Sequence, residues 1–313
     1  MLTPVTVRRT ERLSSSFVRV TLGHPDLADF GVDGPLLDQR IKLILPAPGG
    51  GFPSLSEGSW WSELAGLPDH QRCPVRTYTV AGVVGTGADT AIQVDLVLHP
   101  GAHGPGSAWA ARAAVGDELM VVVPRRGEAF GGIEFDPGPA EHLLLVGDET
   151  ALPAVAQILA GLTAPRRGVV FLEVPRGDDV RADLTIPDGI TVTWLVRGHR
   201  PVGEALVERV SDHLGRRGLP QADSGPGPGS ASDPGRAPGQ DAAEIWETPT
   251  YSASGEELDR PGPAAGSRST YAWIAGESGM VTALRRHLVT DLGLPRGSVA
   301  FMGYWRQGVA MRG

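Results

Sequence analysis

A cation and an aromatic ring lie two positions apart in one predicted β-strand. Arg76 and Tyr78 belong to the sequence RTYT, and because alternate side chains of a strand point the same way, both lie on one face. A guanidinium binds phosphate, an aromatic ring offers a stacking surface, and the Thr79 hydroxyl can reach a ring nitrogen. The combination suits a flavin nucleotide, although an edge strand with an exposed Arg and Tyr gives the same pattern.

A turn rich in glycine and proline follows between His99 and Trp109. Its GPGS stretch, residues 104–107, exposes backbone N–H groups before a predicted helix at 107–114, whose positive end favours an anion such as pyrophosphate. His99 and His103 are a weaker candidate for a metal pair, because the intervening Pro and Gly prevent the helix that would align them. Trp109 is either a core residue or a contact of the same ligand.

Two strand-to-helix turns occupy the positions where a doubly wound sheet binds ligands. The first, GDETALP at 147–153, follows a buried strand but lacks the G-x-G-x-x-G spacing of a dinucleotide-binding turn. Its acidic pair, Asp148 and Glu149, is expected to cap the next helix, because a carboxylate repels phosphate. The second, AGESG at 275–279, is either an ordinary glycine-rich turn or part of the same site.

Short apolar segments up to about residue 135 predict an antiparallel β-barrel. They often alternate with polar residues and are separated by Gly, Pro and Asp. The spacing is typical of a small barrel. Strands are expected at residues 3–9, 17–23, 39–45, 76–84, 92–98 and 118–123.

Continuous apolar runs after His142 predict a different architecture. Helices are indicated where apolar residues recur every three or four positions, as at Met280, Leu284 and Leu288. The pattern predicts a Rossmann-like, doubly wound parallel sheet, and hence two domains, 1–138 and 139–313. Buried strands are expected at residues 143–147, 169–174, 190–196, 271–275 and 298–303, with another helix carrying Leu152, Val155, Leu159 and Leu162.

The second half contains a segment of low complexity. Of the 20 positions from 221 to 240, 15 are Gly, Pro, Ser or Ala. Such a segment buries too little apolar surface to offset chain entropy, so a disordered insertion is expected at about 221–244. A proline-rich ligand for a partner is the alternative, but the prolines alternate with glycine and lack a stiff pattern.

Composition excludes several classes of protein. The 313 residues contain one cysteine, Cys73, so neither an internal disulfide nor a thiolate metal cluster is possible, and redox chemistry needs a bound cofactor. A formal net charge of -8 argues against a nucleic-acid binder. No apolar run approaches the roughly 20 residues that cross a bilayer, and no secretory signal is evident, so a cytoplasmic protein without membrane insertion is expected.

Five blocks, in this order, resemble the siderophore-interacting protein family of ferric-siderophore reductases, which are ferredoxin-reductase-like flavoproteins. The blocks are RTYTV, DLVLHPGAHGPGSAWA, LLLVGDETALPA, YAWIAGESGMVTALRRHL and FMGYWRQG. The likeness covers nearly the whole chain apart from the insertion. It implies an FAD-binding barrel, a second domain that receives NADPH or NADH, and iron(III) that arrives in a siderophore.

The resemblance also implies which residues hold each cofactor. The family's commoner turn has Ala in place of Gly106 and Arg in place of Ala108, so no side-chain contact is carried over to position 108. The implied FAD-binding residues are Arg76, Thr77, Tyr78, Thr79, Val80, His99, Gly104, Pro105, Gly106, Ser107, Trp109 and Ala110. The implied nicotinamide nucleotide residues are Gly147, Asp148, Glu149, Thr150, Pro153, Ala275, Gly276 and Glu277.

The implied chemistry needs no catalytic side chain, because a flavin accepts a hydride and passes electrons singly to iron. Lys42 and Arg40, on one strand face, and the weaker candidate Arg306 are expected to steer an anionic ferric siderophore. A separate electron-carrier protein could replace the nicotinamide nucleotide. Two other functions stay open: a general NAD(P)H:flavin or quinone-type reductase, and a siderophore-binding carrier without redox turnover.

Overall fold

The computed structural model describes residues 1–98, 104–163, 165–217, 246–248 and 270–308. The strands up to residue 122 form one antiparallel sheet. The strands are β1 (Leu2–Arg12), β2 (Phe17–Gly23), β3 (Arg40–Ile44), β4 (Val75–Thr79), β5 (Gly82–Val84), β6 (Ala91–Val97) and β7 (Glu118–Val122). Their order is β4-β3-β7-β1-β2-β6-β5. The sheet encloses a core of Val, Leu and Ile side chains.

One predicted strand is corrected. Residues 76–84 form two strands, β4 and β5, which lie at opposite edges of the sheet. Between them the fully buried Val80 donates its backbone N–H to Gln39 O at 2.9 Å, and Ala81 donates to Gln93 O at 2.8 Å. The chain therefore passes at this point from the edge formed by β4 to the edge formed by β5. The antiparallel sheet is confirmed, while its closure into a barrel stays a prediction.

Two short helices accompany this sheet. The first, α1 (Trp60–Ala65), lies between β3 and β4 and was not predicted. The second, α2 (Pro105–Ala110), begins two residues before the predicted helix and ends four residues before its end. Proline suits the first position of a helix because its fixed φ is already helical and its missing N–H is not needed there. Two 3-10 turns, Pro25–Asp29 and Gly87–Asp89, complete this half.

The second sheet has five parallel strands and one antiparallel edge strand. The strands are β8 (His142–Gly147), β9 (Arg167–Val174), β10 (Ile190–Val196), β11 (Trp246–Glu247), β12 (Thr270–Glu277) and β13 (Val299–Trp305), in the order β10-β9-β8-β12-β13-β11. The helices are α3 (Leu152–Gly161), α4 (Glu204–Arg217) and α5 (Ser278–Arg285), which continues as a π-helical segment, Arg286–Asp291. Further 3-10 turns are Gly177–Asp179 and Arg296–Ser298. The parallel sheet is confirmed, and the predicted insertion at 221–244 lies outside the described residues.

Helices cover both faces of this sheet, as alternate burial along β8 shows. Leu143 and Leu145 pack with α3 on one face, whereas Leu144 and Val146 pack with α4 and α5 on the other. The first of these cores also contains Phe17 of the antiparallel sheet. Residues from both sheets therefore share one hydrophobic core.

Polar contacts also join the two sheets. The buried carboxylate of Asp38, just before β3, accepts the Trp273 indole N–H of β12 at 3.0 Å. Gln157 of α3 donates to the carbonyl of Ala81, which follows β4, at 2.6 Å. The parallel sheet is thus fixed against the strand that carries the RTYT sequence. In the described part of the chain, no helix has the length and apolar character needed to span a bilayer.

Candidate functional site

Arg76 and Tyr78 point to the same side of β4, as predicted. Their cross-strand partners on β3 are Leu43 and Ile41, both buried in the core of the first sheet. Directly opposed residues of an antiparallel pair lie on one face. The cation and the ring therefore face the interior side of the sheet, and the Tyr78 hydroxyl reaches Gly106 of α2.

Arg76 is a partly buried cation. Its guanidinium donates to the Val75 carbonyl at 2.6 Å, and no carboxylate among the described residues pairs with it. Burial lowers the pKa of the Arg76 guanidinium below its ordinary value. A guanidinium removed from water without a counter-ion is well suited to bind an anionic ligand.

Tyr78 and Gly106 approach each other closely. A Cβ atom added at Gly106 would lie 2.4 Å from the Tyr78 hydroxyl oxygen, so this glycine gives the tyrosine the room that it occupies. Burial raises the pKa of Tyr78 to about 12, and the hydroxyl stays protonated at neutral pH. Tyr78 as a whole residue is partly buried, and its side chain lies on the same face of β4 as the Arg76 guanidinium.

The other predicted FAD residues have different surroundings. Thr79 is buried opposite Arg40, whereas Thr77 is exposed opposite Lys42. Val80, Trp109 and Ala110 are buried in the core of the first sheet, which favours the packing role for the tryptophan. Gly104 and Pro105 begin α2, Ser107 lies within this helix, and His99 lies outside the described residues.

Two of the three predicted steering residues lie on β3, and the third follows β13. Lys42 and Arg40 share the face of β3 opposite to that of Arg76, and the Lys42 ammonium donates to the Thr77 hydroxyl at 2.7 Å. Arg40 forms an ion pair with Glu134 and lies over the Trp246 ring, its Cζ atom 4.1 Å from the centroid. Arg306 is exposed just after β13. Of the three predicted cations, Arg40 thus has an evident packing role.

The second group of predicted residues meets at the carboxyl edge of the parallel sheet. Gly147 ends β8 directly beside Ala275 of β12. A Cβ atom at Gly147 would lie 2.5 Å from the Ala151 Cβ, so the glycine permits close packing of the strand against the turn. Since β9 follows β8 on one side and β12 lies on the other, this edge is the point where the strand order reverses, which is where such sheets bind ligands.

The expectation that Asp148 and Glu149 cap a helix is wrong. Helix α3 begins at Leu152 after Ala151, and no side chain caps it. Both carboxylates are fully buried and turned toward other elements. Burial and the neighbouring Glu149 charge raise the pKa of Asp148 to about 7, although hydrogen bonds from Thr150 and Trp305 oppose the shift.

Glu149 belongs to a buried cluster that the sequence did not reveal. The Arg197 guanidinium, just after β10, donates to both Glu149 oxygens at 2.7 Å and to Glu173 Oε1 of β9 at 3.0 Å. Burial opposes the shift, but hydrogen bonds and charge from Glu149 and Glu173 hold the pKa of Arg197 above its ordinary value. One cation therefore connects the carboxyl ends of three neighbouring strands.

A carboxylate does cap helix α5, which follows β12. Glu277, the last residue of β12, accepts the backbone N–H groups of Gly279 and Met280 at 2.6 and 3.0 Å. Gly276 before it has a φ of +142°, which L side chains rarely adopt.

The two remaining predicted nucleotide residues lie after β8. Thr150 is partly exposed, and Pro153 is buried in the first turn of α3.

Tyr304, near the end of β13, takes part in a series of contacts between β3, the strand paired with β4, and the switch point of the parallel sheet. Its ring stacks on Trp246 at a centroid distance of 6.2 Å, and Trp246 is the ring over which Arg40 lies. Its neighbour Trp305 donates its indole N–H to Asp148 at 2.8 Å. A continuous series of contacts thus runs from the cross-strand partner of Thr79 to the switch point of the parallel sheet.

Comparison with known families decides the assignment. Residues 140–308 match the family model described as siderophore-interacting protein, and residues 6–128 match the model described as siderophore-interacting FAD-binding domain. The chain belongs to the siderophore-interacting protein family. The resemblance read from five sequence blocks is confirmed, and FAD is the cofactor of the region matched at residues 6–128.

Individual members of the siderophore-interacting protein family agree with this assignment. The chain is 27% identical over 302 residues to the ferric vibriobactin reductase of Vibrio cholerae, covering 96% of this chain and 88% of the relative. It is 31% identical over 209 residues to the NADPH-dependent ferric-chelate reductase of Escherichia coli, covering 65% and 75%. The crystal structure of the siderophore-interacting protein from Aeromonas hydrophila aligns with a TM-score of 0.63 at 26% identity over 98% of both chains.

Proposed function

We propose that this protein is a cytoplasmic flavin-dependent reductase that moves electrons from NADPH or NADH through FAD to iron(III) in a ferric siderophore. Iron leaves as iron(II), which siderophores hold weakly. The observation that carries the proposal is the series of contacts from Arg40, on the strand paired with β4, through Trp246 to Tyr304 and its neighbour Trp305 at the switch point of the parallel sheet. A donor site beside a flavin site is the arrangement that electron transfer between two nucleotides requires.

The residues present fit FAD. Arg76 is a partly buried guanidinium without a carboxylate partner among the described residues, and it suits the pyrophosphate. The Tyr78 ring, on the same face of β4 as Arg76, suits the flat ring of the flavin. Thr79 is buried on the opposite face of β4. When bound, FAD supplies the chemistry that side chains lack, because it accepts two electrons with a hydride and passes them on one at a time.

Tyr78→Ala is expected to loosen FAD without unfolding the protein, because the ring supplies stacking area at the edge of the site. The FAD content of the purified variant, read from the ratio of flavin to protein absorbance, measures the effect. Tyr78→Phe is the matched control, since it keeps the ring and removes a hydroxyl that has no hydrogen bond to any described residue. Full FAD occupancy with an unaltered spectrum in the alanine variant would remove Tyr78 from the site.

The donor nucleotide is assigned to the switch point. The turns at 147–150 and 275–277 meet there, and Glu277 holds the start of α5 against them. The Escherichia coli relative is NADPH-dependent, which supports a nicotinamide nucleotide as donor. A separate electron-carrier protein is the alternative donor. Bleaching of the flavin by NADPH or NADH alone, without a protein donor, distinguishes the two.

Lys42 is proposed to steer the ferric siderophore by charge. Charge reversal in Lys42→Glu is expected to raise KM for an anionic ferric siderophore roughly tenfold at low ionic strength, and the effect should shrink as salt is added. The same reversal at the exposed Arg9, which pairs with Glu11, changes the net charge equally and is the control. An unchanged KM in Lys42→Glu would contradict the steering role.

Two alternatives make different predictions in the same assay. A general flavin or quinone-type reductase would reduce quinones at least as fast as ferric chelates under anaerobic conditions. A carrier without redox turnover would bind the chelate tightly and would not need FAD, so Arg76→Ala would leave its binding unaffected. The ferric-siderophore reductase should prefer the ferric chelate over quinones and lose turnover when FAD is lost.

A further inference from the structure

The ends of three parallel strands converge on one buried carboxylate. Asp148 Oδ1 accepts the backbone N–H and the hydroxyl of Thr150 at 2.8 and 2.6 Å, within the turn that follows β8. Asp148 Oδ2 accepts the backbone N–H of Glu277, at the end of β12, at 2.7 Å. The same oxygen accepts the indole N–H of Trp305, at the end of β13, at 2.8 Å.

The surroundings of Asp148 are specific for a carboxylate. Four groups of the described chain donate to its two oxygens, three of them N–H groups, so an amide in its place would direct an NH₂ group at an N–H donor. The lack of a side chain at Gly276 leaves room for this carboxylate, because a Cβ atom there would lie 2.6 Å from the Asp148 Cγ. The carboxylate is fully buried next to the Glu149 charge, and both effects raise its pKa. Ionisation of Asp148 is therefore costly at the switch point, and the four hydrogen bonds offset part of that cost.

We propose that Asp148 is a positioning residue for the dinucleotide donor, because it holds the turn after β8, the start of α5 and the Trp305 ring in a single arrangement. This inference rests on the proposed function. Asp148 is itself inaccessible, so it acts through the groups that it orients. Among these, Trp305 and Thr150 are partly exposed at this edge of the sheet.

The test uses the FAD-loaded protein and the unreactive oxidised nucleotides NADP⁺ and NAD⁺, with binding measured by calorimetry. Asp148→Asn is expected to weaken binding of the nucleotide that wild type prefers by roughly tenfold, the equivalent of losing one charge-assisted hydrogen bond. In turnover, KM for the donor should rise by a similar factor while kcat at saturation stays within about twofold. Asp291→Asn, the same change at an exposed site on the segment after α5, is the control.

A second variant removes only one of the four hydrogen bonds. Trp305→Phe keeps an aromatic ring but has no indole N–H, and it is expected to weaken nucleotide binding in the same direction. If Asp148 acts through Trp305, the double variant should bind little worse than Asp148→Asn alone. Should Asp148→Asn fail to fold, a Trp305→Phe variant that binds as tightly as wild type would overturn the proposal.

Other outcomes are equally decisive. Wild-type affinity in a folded Asp148→Asn, or effects of the two substitutions that simply add, would overturn the positioning role while leaving the proposed function intact. A wild-type protein that holds FAD but binds neither nucleotide would overturn both this inference and the nucleotide donor. That result would be visible before any variant is made, so the two failures are distinguishable.

Discussion

Arg197→Leu is expected to lower the free energy of unfolding by about 3–5 kcal/mol, the cost of removing one partner from a buried ion cluster. The guanidinium donates to Glu149 and Glu173, and both carboxylates are fully buried. Without it, two negative charges remain in the interior beside Asp148. Glu173 would keep the Gly203 backbone N–H on Oε1, whereas its Oε2 has no hydrogen-bond partner among the described residues.

The measurement is equilibrium denaturation of the FAD-loaded variant, followed by fluorescence and circular dichroism together. The matched control is Arg200→Leu, three residues along the chain, where the arginine forms ion pairs with Glu204 and Glu208 at the surface. Surface pairs are screened by water and salt, so the control should unfold nearly as wild type does. Equal losses in the two variants would show that the buried cluster contributes no more than a surface network.

Arg76→Ala is expected to weaken FAD binding by roughly 10- to 100-fold, since a charge-assisted hydrogen bond to a buried anion contributes about 1.5–3 kcal/mol. The stability of the protein without FAD should fall little, because within the described chain the guanidinium forms one hydrogen bond, to Val75 O. Removing a partly buried cation that has no carboxylate partner in the described chain relieves a desolvation cost rather than adding one. FAD affinity is measured by fluorescence titration of the protein stripped of flavin.

Arg9→Ala is the matched control for Arg76, because it removes an exposed arginine of the same sheet. It should leave FAD affinity unchanged. Arg76→Lys should recover only part of the affinity, since an ammonium cannot make the paired, planar contact of a guanidinium with phosphate. If Arg76→Ala bound FAD as tightly as wild type, the RTYT strand would not be the flavin site.

Most of the fold could be predicted because the two halves of the sequence have different apolar periods. Alternation before residue 135 and continuous apolar runs after it separate an antiparallel sheet from a parallel one. Helix α4 was missed although it carries the same signal as α5, with Leu206, Val210 and Leu214 buried at four-residue spacing. The division of residues 76–84 into two strands could not be predicted, because it depends on where Val80 enters the core.

The site could be located from the sequence only at the level of its turns. The alternation in RTYT predicted the shared face of Arg76 and Tyr78, and the strand-to-helix turns predicted the switch point. The roles of Asp148 and Glu149 could not be predicted, because their partners, Trp305 and Arg197, lie 157 and 48 positions away in the chain. Only the order of the strands brings these residues to one edge.

The most direct test of the central claim is the visible absorbance spectrum of the purified protein under anaerobic conditions. The account predicts a flavin band that bleaches when NADPH or NADH is added and returns when a ferric siderophore follows, with iron(II) captured by a chromogenic chelator. The nucleotide that bleaches the band identifies the donor. A protein that cannot be loaded with FAD, or a reduced flavin that a ferric siderophore does not reoxidise, would contradict it.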